Sequence, residues 1–135
     1  METFKTLPRI APDDLVSYER DGVVLIRKAF SSDWLFFLAG AMDEAMASPG
    51  PNAEELAGGS GRFFADLEMA LRLPAFRKFA LESPAAEIAG RIMGATRVNF
   101  FYDQLLVKEP GTSARTPWHQ DQPYWAISGR QVRSV

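Results

Sequence analysis

Apolar residues follow a helical period over most of the chain and an alternating one over its last third. Pro12 followed by Asp13 and Asp14 is a helix start, since proline is tolerated in a first turn and carboxylates favour the positive end of the helix dipole. Gly22 should end that helix by taking the left-handed conformation. Val23-Val24-Leu25-Ile26 then reads as a short buried strand. A second helix over 33–47, capped by Ser31 or Ser32, carries Trp34, Leu38, Met42 and Ala45 on one stripe. Further helices are expected over 64–73, 74–81 and 84–93, with Gly94 ending the last. Their apolar positions, Leu67, Leu71, Phe76, Phe79, Ile88 and Ile92, would make one packed layer.

At Thr96 the period changes. Thr96 to Lys108 is β-branched and aromatic, with no Gly or Pro, and predicts one long strand. One face would carry Val98, Phe100, Tyr102, Gln104, Leu106 and Lys108. The other would carry Phe101, Asp103, Leu105 and Val107. On that reading Gln104 is a buried polar group in need of partners. Glu109-Pro110-Gly111-Thr112 is turn chemistry, and Gln131 to Val135 looks like a further strand beginning. Residues 12–94 are thus mainly helical and 96–135 are the start of a sheet, an α+β class in a single domain over 1–135.

Composition narrows the function classes. The chain has 135 residues, 47% apolar and 24% charged, as an ordinary globular protein has. A net charge of −2 with scattered Lys and Arg gives no electrostatic case for nucleic acid. The absence of cysteine excludes disulfides, thiolate zinc sites and a cysteine nucleophile. No apolar run is long enough to span a bilayer and no signal-peptide core is present, so a cytoplasmic protein is expected. The Pro-, Gly- and Ser-rich stretch from Ser48 to Gly61 ends in Gly58-Gly59-Ser60-Gly61. It lacks the GK[ST] continuation of a phosphate loop and reads as a surface loop.

The candidate chemistry lies at Thr116-Pro117-Trp118-His119-Gln120-Asp121-Gln122-Pro123-Tyr124-Trp125. In an extended segment His119 and Asp121 project to one side. An imidazole and a carboxylate there are two of the three ligands of a 2-His-1-carboxylate iron site, though the same pair could simply share a surface hydrogen bond. His119 is the only histidine in the chain. Lys108, on the face of Gln104, is either a solvated strand end or a cation for an anionic cosubstrate. Trp118, Tyr124 and Trp125 could wall a pocket or serve as core.

These residues carry a resemblance. Phe101-Tyr102-Asp103-Gln104-Leu105-Leu106-Val107-Lys108-Glu109-Pro110-Gly111 together with Thr116 to Trp125 resembles the phytanoyl-CoA dioxygenase family, and Phe63-Phe64-Ala65-Asp66-Leu67 is similar to its N-terminal region. The resemblance implies an Fe(II)- and 2-oxoglutarate-dependent oxygenase that hydroxylates a small molecule or acyl-CoA with O₂. It implies a double-stranded β-helix (a jelly-roll) with helices outside it. It also implies His119 and Asp121 as iron ligands, Lys108 at the 2-oxoglutarate, and Gln104 and Trp125 near substrate. The family's distal histidine and 2-oxoglutarate arginine follow later in relatives, and Arg130 and Arg133 come too early for that role. An N-terminal fragment, inactive alone and with its sheet incomplete, is therefore expected. The alternative is a non-catalytic shortened relative that dimerises through an unpaired sheet edge.

Overall fold

The computed structural model describes residues 7–57, 61–129 and 131–135. Chain order runs through helices α1 (Pro12–Asp21) and α2 (Ser32–Ala47), strands β1 (Glu54–Glu55) and β2 (Phe63–Leu67), and helices α3 (Met69–Arg72), α4 (Pro74–Glu82) and α5 (Ala85–Met93). Strand β3 (Gln104–Lys108) and a 3₁₀ turn at Gln122–Tyr124 complete it. The helix ends obey local chemistry. Asp14 takes the Ala11 N–H at 2.8 Å at the head of α1, and Gly22 and Gly94 sit in the left-handed region as expected. The Ser31 hydroxyl accepts from the Trp34 amide at 3.3 Å.

Trp34 is buried against Phe37 and Phe79, each edge-to-face at 5.6 Å between ring centroids. A second cluster joins Ala45 of α2, Met69 of α3 and Leu73, with Phe76 and Leu105 packed on it. The helices therefore lie on the sheet face that carries Leu105.

The sheet is antiparallel in the order β1-β2-β3 and open, giving an α+β class. Phe63 pairs with Lys108 and Leu67 with Gln104. Cross-strand partners share a face, so Phe63, Ala65 and Leu67 stand with Lys108, Leu106 and Gln104 on the side away from the helical core. The alternation read for 104–108 holds: Leu105 and Val107 are half-buried while Gln104, Leu106 and Lys108 are exposed. Gly61 makes the β2–β3 end possible. Its φ is +82°, and a Cβ there would lie 2.1 Å from the Thr112 nitrogen.

Several expectations are corrected. Residues 64–67 are strand rather than helix, and only Met69–Arg72 of the expected 64–73 helix forms. Phe63, Phe64, Ala65 and Asp66 are all buried, so the segment carries no alternating signature. Leu67 and Leu71, expected in the core, are 36% and 76% exposed. Val23 to Ile26 is not strand, and Val23 and Leu25 are 70% and 68% exposed. Of 96–108 only Gln104–Lys108 is strand, because β2 offers just five partners. Residues 131–135 pair with nothing in a sheet. The glycines at 58 and 59 with Ser60, and Arg130, lie outside the described residues. Among the described residues no helix is long and apolar enough to cross a membrane.

A buried ion pair ties the loop after α2 to β2. The Asp66 carboxylate is fully buried, receives Arg72 at 2.7 Å and accepts the Gly50 N–H at 2.9 Å. Arg72 also donates to the Ser48 carbonyl at 2.7 Å. A carboxylate without water needs several donors at once, and these supply them.

Candidate metal centre

The segment that carries His119 leaves β3 at Lys108 and runs back beside it. Lys108 fixes its first part: the ammonium donates to the Ala114 carbonyl and to the Thr116 hydroxyl, both at 3.2 Å, and lies 4.4 Å from the centre of the Phe63 ring. Trp125 fixes its far part, donating its indole N–H to the Tyr102 hydroxyl at 2.9 Å. Their rings meet edge-to-face at 6.3 Å. Thr116 therefore sits at the end of β3 and Trp125 at the residues that lead into it, with His119 between.

His119 and Asp121 do converge, but not on a strand. Asp121 has helical dihedrals (φ −72°, ψ −37°) and opens the 3₁₀ turn. His119 Nε2 lies 3.0 Å from Asp121 Oδ1, and both side chains are about half exposed, 44% and 52%. His119 Nδ1 is 2.8 Å from the Pro117 carbonyl oxygen. That oxygen can only accept, so Nδ1 carries the proton and Nε2 faces the carboxylate. The Pro117 hydrogen bond first, then the charge of Asp121, push the imidazole pKa above its ordinary 6.5. Thr116, Pro117, Trp118, His119 and Asp121 line an open cleft, with Trp118 fully exposed on its rim. Tyr124 stands edge-on to His119 at 6.4 Å.

This donor pair fits a metal in two respects. The neutral Nδ1–H tautomer presents the Nε2 lone pair, with the other ring nitrogen held by a backbone carbonyl, as in metal-binding histidines. The 3.0 Å separation of nitrogen and oxygen also matches neighbouring corners of an octahedron whose bonds are ~2.1 Å. The set is incomplete. Among the described residues no three His, Cys, Asp or Glu side chains come together to hold a metal, and the sequence has a single histidine.

The other candidates separate. Lys108 belongs to this neighbourhood through Thr116, and among the described residues it has no carboxylate partner. Gln104 is not buried; it is exposed at the other end of β3, about 13 Å along the strand. Trp125 is half-buried on Tyr102 and does not line the cleft. Arg133 lies over the Tyr18 ring of α1 at 5.2 Å, apart from the cleft residues. Thr116 and Tyr102 escaped the sequence reading of polar partners. Their only signal is a hydroxyl within reach of a loop mouth and a strand face.

A family model described as phytanoyl-CoA dioxygenase matches residues 18–135. The match spans nearly the whole chain, and the chain belongs to that family. No curated protein and no solved structure matches it significantly.

Proposed function

We propose that this member of the phytanoyl-CoA dioxygenase family carries two of the three iron ligands of an Fe(II)- and 2-oxoglutarate-dependent oxygenase acting on a small molecule or acyl-CoA. The observation that carries this reading is the His119 Nε2 to Asp121 Oδ1 approach at 3.0 Å, with Nδ1 tied to Pro117. When bound, iron with 2-oxoglutarate supplies the power to hydroxylate an unactivated C–H bond with O₂, leaving succinate and CO₂. His119 offers a neutral nitrogen and Asp121 a charge, the donor types that suit Fe(II). Lys108 holds the loop in place and keeps a positive charge at its mouth, suited to a cosubstrate carboxylate. Trp125 positions the far end of the segment through Tyr102, and Gln104 extends the same exposed sheet face toward substrate. The open three-stranded sheet would be the beginning of a double-stranded β-helix. A third ligand has to come from outside these 135 residues, because no second histidine exists among them.

Anaerobic titration of the chain with Fe(II) and 2-oxoglutarate, followed by their visible charge-transfer band, tests this. Weak binding that disappears in His119→Ala and in Asp121→Ala is expected. Binding unchanged in both variants overturns the ligand assignment, and tight stoichiometric assembly overturns the incomplete site.

One observation favours a second reading, a non-catalytic module that dimerises. β3 pairs only with β2, leaving its other edge open among the described residues. Sedimentation decides it: a discrete dimer supports the module, and a monomer rules it out.

A further inference from the structure

A second concavity, of about 220 Å³, lies at the other end of β3, where Glu68, Arg77 and Asp103 meet an apolar rim that includes Leu71, Leu81 and Phe101. It is smaller than the ~300–1,000 Å³ pockets that take drug-sized ligands, which sets its occupant at the scale of a small metabolite. Tyr102 is another of its lining residues, so it lies about a strand's length from Lys108 and the mouth of the His119 loop.

Three features distinguish it from the rest of the surface. Leu71, Leu81 and Phe101 are 76%, 58% and 49% exposed around one opening, and apolar side chains grouped in this way mark binding surfaces more often than scattered ones do. Its acidic end is built rather than incidental. Asp103 accepts the Ala70 N–H at 3.1 Å, and its carbonyl accepts the Glu68 N–H at 2.9 Å, which fixes the backbone of Glu68 beside it. Arg77 supplies the opposite charge. Among the described residues neither the Arg77 guanidinium nor the Glu68 carboxylate has a hydrogen-bond or ion-pair partner.

Burial raises the Asp103 pKa, and the carboxylates of Glu68 and Asp66 raise it further, against the hydrogen bond that its carboxylate accepts from the Ala70 N–H.

We propose that this cavity binds a small zwitterion with an apolar body, of the amino-acid type, its ammonium toward Glu68 and Asp103 and its carboxylate toward Arg77. A cation alone would leave Arg77 unmatched, an anion alone would face two carboxylates, and a neutral apolar molecule would use neither end. The site needs no iron, so it stands or falls apart from the His119 pair.

The test is a titration of the metal-free chain with L-leucine, with 4-methylpentanoate (no ammonium) and with 3-methylbutylamine (no carboxylate). Amide shifts of Ala70 and Ala80 report on the cavity, and Ala41 serves as a distant control. Saturable shifts confined to the cavity are expected with leucine, and weaker binding with both truncated compounds. Arg77→Gln should weaken leucine about two- to fivefold while leaving the amine unchanged, and Glu68→Gln should do the same while sparing the acid. Both side chains are exposed, so neither change threatens the fold. Equal binding of all three compounds, or no shift with leucine at millimolar concentration, overturns the proposal.

Discussion

The sheet-and-helix layer and the His119 segment are held by different kinds of interaction. In the helical layer and β2, Trp34, Phe64, Met69 and Asp66 are almost wholly out of water, and the buried Asp66 carboxylate is matched by Arg72 and the Gly50 amide. From Glu109 to Gly129 no residue is buried, and the segment hangs on Lys108 at one end and on the Trp125–Tyr102 bond at the other. The first region specifies a shape. The second presents donors to solvent, the accessibility that the proposed ligation of a metal by His119 and Asp121 requires. Removing a group from the first region should therefore unfold the chain, while removing one from the second should only loosen the site.

The largest effect is expected at Asp66. Asp66→Ala leaves the Gly50 amide without its acceptor and the Arg72 guanidinium without its counter-charge, still holding the Ser48 carbonyl, and breaking such a buried pair costs about 3–5 kcal/mol. Urea unfolding measures it. A loss under about 1 kcal/mol would show that the two regions are held no differently.

Trp125→Phe keeps an aromatic ring on Tyr102 and removes only the indole N–H, at about 1 kcal/mol for the hydrogen bond. Little change in the urea midpoint is expected, since the segment contributes little to global stability. Faster amide exchange from His119 to Trp125, with β2 unaffected, is the local signature. Slowed exchange, or a change that spreads into β2, would mean that this segment is part of the core.

The smallest effect is electrostatic. The His119 pKa lies above the ordinary 6.5, so the imidazolium favours the folded chain below that value, and its contribution is lost as pH rises through the folded pKa. In Asp121→Asn the pKa should fall but stay above 6.5, because the Pro117 carbonyl is the larger cause. Histidine ring shifts followed against pH check both points. Metal binding has the opposite sense: protons compete for Nε2, so Fe(II) affinity should drop as pH falls through the same pKa.

The helices were legible because their ends are local events. Pro12, Ser31, Gly22 and Gly94 mark boundaries through contacts within a few residues, and α4 begins at Pro74 for the same reason. β2 was illegible because Phe63, Phe64, Ala65 and Asp66 are buried on both faces, and such a run has no period to distinguish it from a helix. The same limit produced the overlong strand from Thr96. Its residues suit a strand, yet only 104–108 have a partner, and residues without one leave the ladder. In the site, the spacing of His119 and Asp121 was visible, whereas the Thr116 and Tyr102 anchors lie eight residues beyond Lys108 and twenty-three before Trp125.

The sequence by itself determined the chain's local chemistry: where helices start and stop, which of 104–108 share a face, and a His–Asp pair two residues apart in a chain with one histidine. It also carried the family. Tertiary structure decided the rest. Whether Phe63–Leu67 became strand depended on β1 and β3 arriving on either side of it, and whether Gln104 was buried depended on what covers the outer sheet face. The approach of His119 Nε2 to Asp121 was decided by a 3₁₀ turn and a proline carbonyl rather than by strand alternation. Caps and spacings act over one turn of chain, and sequence displays them directly. Burial and pairing are set by residues far away in the chain, and become readable only once the fold has brought them together.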